Sequence, residues 1–186
     1  MKKHLRLIGV ALFLALTFVV LEQSGIRAQL NLDFLQQQIR DNPFSGLLIF
    51  VLAFALGNIA QIPGWVFLAA AVFTLGRTVG GLATYIAACI SCIATFFIIR
   101  LVGGNALRTL ESPLAIRLLR QFDAHPIRSV VLLRMLFQTL PALNYTLALT
   151  GVKFRDYLIG TLLGLPLPIA LYCLFFDFLA RALNLR

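Results

Sequence analysis

Residues 44–76 read FSGLLIFVLAFALGNIAQIPGWVFLAAAVFTLG, and they decide how this chain folds. No Lys, Arg, Asp or Glu falls between Asp41 and Arg77. The centre is broken at Ile62-Pro63-Gly64-Trp65, where the polar side chains are Asn58 and Gln61. Proline removes a backbone donor and glycine resists helix, so Pro63 and Gly64 interrupt any helix that reaches them. The part after the break, Trp65 to Leu75, would rise only about 16 Å as a helix, roughly half the hydrocarbon thickness. A bilayer tolerates such a break where protein or a wet cavity covers the freed backbone groups. The stretch therefore predicts a re-entrant helical hairpin that enters and leaves on one side.

Composition points the same way. Of 186 residues, 60% are apolar and 12% charged, with a mean hydropathy of +0.93, too few charges to coat a soluble domain. The net charge of +9 is spread between apolar runs instead of clustering with aromatic platforms, which speaks against nucleic acid and for basic cytoplasmic loops. Cys89 and Cys92 form a C-x-x-C inside an apolar run. His4 and His125 lie far off in sequence and no acidic cluster completes a set, so the cysteines read as packing and no metal or cofactor is expected.

Taken in order, Lys2, Lys3 and Arg6 precede an apolar run from Leu7 to Leu21, read as an uncleaved first transmembrane helix with a cytoplasmic amino terminus. Leu30, Leu32, Phe34, Leu35 and Ile39 predict a short interfacial helix within 22–43. These two elements form an N-terminal unit, 1–43, ahead of a membrane domain, 44–186. After the hairpin, Leu82 to Ile99 is long enough to span. Its small residues Ala83, Ala87, Ser91 and Thr95 recur every four positions and predict close helix packing. In 100–128, Leu107, Leu110, Leu114, Leu118 and Phe122 line one face of an Arg-rich amphipathic pair, with Ser112-Pro113 opening the second helix.

Charge chooses between topologies. With a re-entrant first hairpin, ten basic residues lie inside (Lys2, Lys3, Arg6, Arg100, Arg108, Arg117, Arg120, Arg128, Lys153, Arg155). Five lie outside (Arg27, Arg40, Arg77, Arg181, Arg186). A second broken stretch, Ser129 to Thr150 with Pro141 at its centre, repeats the first and should enter from the opposite side, giving an inverted repeat. Tyr157 to Leu179 is the last span, kinked near Pro166 and Pro168, with Asp177 and Arg181 spaced to pair at a solvated end. The expected fold is all-α: three transmembrane helices, two opposed re-entrant hairpins and interfacial amphipathic helices.

Arg134 is the one charge deep in an apolar segment, and Gln138 shares its face one turn on. A charge at that depth faces a partner or a wet cavity. With Asn144 and Tyr145 beyond the Pro141 break, and Asn58 and Gln61 from the first hairpin, it would form a polar midplane site for an anionic or phosphate-bearing group. A second role, capping carbonyls freed at the break, is open beside the first.

The residues Ile62-Pro63-Gly64, Gly76, Leu133-Arg134, Leu140-Pro141, Asn144-Tyr145 and the run GVKFRDYLIGT at 151–161 resemble the DedA superfamily, also called VTT-domain or SNARE-associated Golgi-protein-like membrane proteins. The likeness covers roughly 44–176. It implies two opposed re-entrant hairpins and a role in moving phospholipid or polyprenyl-phosphate carriers between leaflets, and for some members proton-coupled transport. The best-studied branch carries acidic residues in and just after the first hairpin break. Here Trp65 follows Gly64 and no acid lies from Phe44 to Gly76, nor does a second arginine follow Arg134 before the break.

The expected function is a lipid translocase or scramblase-like transporter in a bacterial-type plasma membrane, with membrane lipids as partners. The alternatives are a membrane-embedded assembly or trafficking factor and a proton-coupled small-solute transporter. No nucleophile–base pair, P-loop, dinucleotide loop or metal motif is present, so an enzyme is not expected. Homo-oligomerisation is left open.

Overall fold

The computed structural model describes residues 43–109, 113–138 and 140–183, with Gly9, Leu12, Phe13, Ala15, Leu16, Val19, Val20, Gln23 and Gln37 as helical positions before them. The predicted helices within 7–21 and 22–43 otherwise lie outside the described residues. All regular structure described is helical: α1 Pro43–Ile59, α2 Gly64–Gly103, a 3₁₀ turn Ala106–Thr109, α3 Pro113–Ala124, α4 Pro126–Phe137, α5 Pro141–Leu149, α6 Phe154–Gly164 and α7 Pro166–Ala182.

The first break forms where the sequence places it. α1 ends at Ile59, Ile62 N–H bonds back to the Gly57 carbonyl at 2.7 Å, and Gln61 takes a left-handed φ of 59°. Phe67 then packs on Gly57 and stacks with Phe54 at 4.9 Å between ring centroids, so the 64–75 limb runs back along α1.

α2 is not one rod. Gly76 has φ 84° and ψ 168°, a conformation open essentially to glycine alone. A Cβ placed on Gly80 would lie 2.5 Å from the Ala71 carbonyl oxygen. Nine residues along an unbroken helix would separate those positions by about 13.5 Å, so the chain doubles back at Gly76. The 77–103 limb therefore runs parallel to α1.

The second half repeats this path. α4 ends at Phe137 and α5 starts at Pro141, and Gly151, with φ 80°, returns the chain into α6. A Cβ on Gly160 would meet Val130, and one on Gly164 would meet Arg134, at the same thirty-residue offset. Hence α4 and α6 run parallel and in contact, as α1 and the 77–103 limb do. α6 passes into α7 at Leu165, just before Pro166, where the kink was expected.

The two hairpins face each other. Gly81 packs on Cys173, whereas Arg100 donates to the Val152 carbonyl at 2.8 Å, so the 77–103 limb runs antiparallel to α6 and α7. The hairpin bases, at Gly76 and beside Arg100, thus sit at opposite ends of that limb, about 36 Å apart.

Polarity is turned inside out. Asn58, Thr84, Ser91, Thr95, Arg134, Asn144 and Thr161 are buried, while Leu52, Leu56, Leu82, Ile86, Ile90, Phe97, Leu171 and Phe178 are exposed. By length and composition, Gly64–Gly103, in its limb after the Gly76 turn, and Phe154–Ala182 are long and apolar enough to cross a bilayer.

Two charged details position the rest. Arg108, on the 3₁₀ turn, pairs with Asp123 of α3 and donates to the Thr150 carbonyl at 2.7 Å, covering Gly151. The Asp123 carboxylate raises the guanidinium's pKa above its ordinary value. Asp177 pairs with Arg181 at 2.9 Å as its spacing predicts. Its carboxylate is buried instead of solvated, with Arg77 also within ion-pair distance at 3.9 Å.

Candidate functional site

The site forms where the two hairpin tips touch. Asn58 stands in the last turn of α1 and Asn144 in the first turn of α5, each beside a break that leaves backbone groups free. Asn144 Nδ2 donates to Asn58 Oδ1 at 2.9 Å. Asn58 Nδ2 in turn donates to Ser91 at 2.9 Å and Thr95 at 3.2 Å on the 77–103 limb. The Tyr145 hydroxyl reaches the Asn58 and Ile59 carbonyls at 2.7 and 2.9 Å, satisfying acceptors at the end of α1.

Arg134 enters this network from α4. One terminal nitrogen donates to Asn144 Oδ1, and the other donates to the Tyr157 hydroxyl at 2.8 Å and to Thr161 at 3.4 Å. The Tyr157 hydroxyl donates a hydrogen bond to the Cys92 carbonyl at 3.0 Å, and the Cys92 thiol donates to Asn144 Oδ1 at 3.4 Å. The planar fork explains arginine here, since a lysine ammonium is a compact point charge that cannot span these separated acceptors.

Arg134 is only 1% exposed, and among the described residues no carboxylate lies within ion-pair distance of it. A charge so placed costs about 2.5–3.5 kcal/mol on insertion scales. Neutral oxygens offset that cost without cancelling the charge.

A cavity of about 30 Å³ opens beside it, walled by Arg134, Gln138, Asn58, Cys92, Pro141 and Leu165. Two buried atoms there have no partner among the described residues: Arg134 Nε, a donor, and Gln138 Oε1, an acceptor. A water between them would accept from one and donate to the other, and the space admits about two waters. No lipid headgroup fits while the tips are closed.

Asn58, Arg134, Gln138, Asn144 and Tyr145 are thus brought together, and Pro141 and Gly64 line the cavity. Pro63 stands one residue away as the cap of α2. Gln61 is not brought in. Its left-handed backbone at the tip turns the side chain outward, where it is exposed, so the expectation that it joins the site is corrected.

Sequence reasoning missed Tyr157 and Thr161, the partners that hold Arg134, and took Cys92 for packing alone. Ser91 and Thr95 had been read only as small residues. The available signal was their shared face: Ser91 and Thr95 are four apart, as are Tyr157 and Thr161.

A family model described as the VTT domain matches residues 62–178, from the first hairpin break into α7. Neither the search of curated proteins nor that of solved structures returned a match.

Proposed function

Because the chain belongs to the VTT-domain family of DedA-type membrane proteins, we propose that it moves a phosphate-bearing lipid between leaflets without covalent chemistry. The observation that carries this reading is Arg134, a buried cation whose partners among the described residues are all neutral, seated where two opposed hairpins touch. A headgroup phosphate would be the missing counter-charge, held bidentately by the fork.

In this reading the two hairpins are re-entrant, one from each side of a plasma membrane, and the 77–103 limb and α6–α7 cross it. The cytoplasmic face carries the amino terminus and the Arg108–Asp123 loop. The closed tips are the occluded state. Transport separates them, breaking the Asn58–Asn144 and Tyr145–Asn58 hydrogen bonds in turn. Each is a neutral bond worth about 0.5–1.5 kcal/mol, small enough to open thermally. Among the described residues no carboxylate stands at the site to couple the exchange to protons.

Liposomes containing phosphatidylglycerol with a fluorescent headgroup test the proposal. The full chain should equilibrate label between leaflets, and Arg134→Met should stop this while leaving insertion intact. Normal transport by a stable Met variant removes Arg134 from the mechanism. No redistribution, with a protein partner co-purifying, favours an assembly factor. The membrane arrangement is tested separately: single cysteines at Thr78 and Leu118 should label from opposite sides, and labelling of both from one side refutes it.

A further inference from the structure

A second, larger recess lies away from the hairpin tips, between the start of the 77–103 limb and α7. It is an open trough of about 610 Å³, lined by Arg77, Gly81, Tyr85, Ile169, Ala170 and Cys173, with Leu82 and Leu174 as exposed walls. The two helices approach closely at its floor, where a Cβ on Gly81 would lie 2.8 Å from the Cys173 sulfur. Tyr85 shuts the inner end, its hydroxyl donating to the Leu162 carbonyl at 3.1 Å.

The mouth is basic. Among the described residues, two guanidiniums, Arg77 and Arg181, stand against the Asp177 carboxylate at 3.9 and 2.9 Å. The Arg77 side chain is 54% exposed, against 8% for Asp177, which puts the Arg77 charge on the outer rim.

Length and chemistry together choose the occupant. From Arg77 to Tyr85 the helix rises about 12 Å. Half of a hydrocarbon core is about 15 Å. The trough therefore matches one acyl chain of one leaflet, apolar along its length and cationic where a headgroup would sit. We propose that it binds a single acyl chain of a phosphate-bearing lipid, with Arg77 against the phosphate. Binding here does not require translocation. The inner end stops one helical turn short of the Arg134 cavity, since Tyr85 and Ile169 lie beside Ala88 and Leu165.

The test uses the full chain in phosphatidylcholine vesicles doped with phosphatidylglycerol that carries a diazirine in one acyl chain. After illumination, label should concentrate on peptides containing residues 78–85 and 166–174. Ala170→Phe fills the trough from an exposed position and should abolish that labelling; Leu171→Phe, on the neighbouring outer face, should not. Arg77→Gln should weaken labelling about fivefold, to the level of a neutral diacylglycerol probe. Label spread evenly over the outer faces around Leu163 and Phe178, and indifferent to these substitutions, overturns the proposal. Cross-linking of a second copy of the chain through the trough overturns it too. Because the readout is occupancy, a chain that labels as expected yet transports nothing would fail the translocase reading alone.

Discussion

Asn144→Ala is the sharpest probe of the joint between the hairpins. The side chain accepts a charge-assisted hydrogen bond from Arg134 and donates a neutral one to Asn58 at 2.9 Å. A bond to a charged group contributes about 1.5–3 kcal/mol, and side-chain bonds between membrane helices average about 0.6 kcal/mol, so the loss should total about 2–3.5 kcal/mol. Most of it falls on the charged bond, because Arg134 is buried and a water from the adjoining small cavity replaces the lost oxygen only in part. Equilibrium unfolding in mixed detergent–SDS micelles reads this directly. The same titration on Asn58→Ala and on the double variant should show coupling of about 0.5–3 kcal/mol between the two positions. A single-variant loss below about 0.5 kcal/mol, or strict additivity in the cycle, would refute the contact as a structural joint.

Other consequences follow from the backbone. Gly76→Val should destabilise by about 1–3 kcal/mol, because its dihedrals are open essentially to glycine; thermal unfolding in detergent measures it. Gly80→Leu drives a side chain into the Ala71 carbonyl and should cost about 1–3 kcal/mol or more, with the 64–75 limb displaced, read as faster proteolysis near Gly76. Replacing Pro63-Gly64 by Ala-Ala favours helix through the break by about 3 and 1 kcal/mol respectively. Protein that still inserts but no longer equilibrates lipid is expected, and full activity would make the break incidental.

The path of the chain was legible because its punctuation is unambiguous. Pro63-Gly64 and Pro141 forbid continuous helix, and Gly76 and Gly151 stand where the limbs turn with positive φ. The meeting of Asn58, Arg134 and Asn144 was legible for a related reason: polar groups in apolar runs must find one another. What stayed hidden is three-dimensional register. Nothing local tells which turn of α6 faces α4, so Tyr157 and Thr161 read as ordinary span residues until Gly160 and Gly164 fixed the contact. Gln61 failed for the opposite reason. It sits in the right stretch, but one left-handed residue at the tip aims it outward.

The partners of Arg134 lie downstream of it by 10, 23 and 27 residues. During synthesis the guanidinium thus emerges before anything that can stabilise it. At ordinary elongation rates the wait for Thr161 is about 1–5 s. Until Asn144, Tyr157 and Thr161 have followed in turn, the cation on α4 lacks part of its hydrogen-bond set and is costly to leave alone in hydrocarbon. The nascent second hairpin must shelter in the insertion machinery or at the interface until α6 arrives, then enter the bilayer together with it.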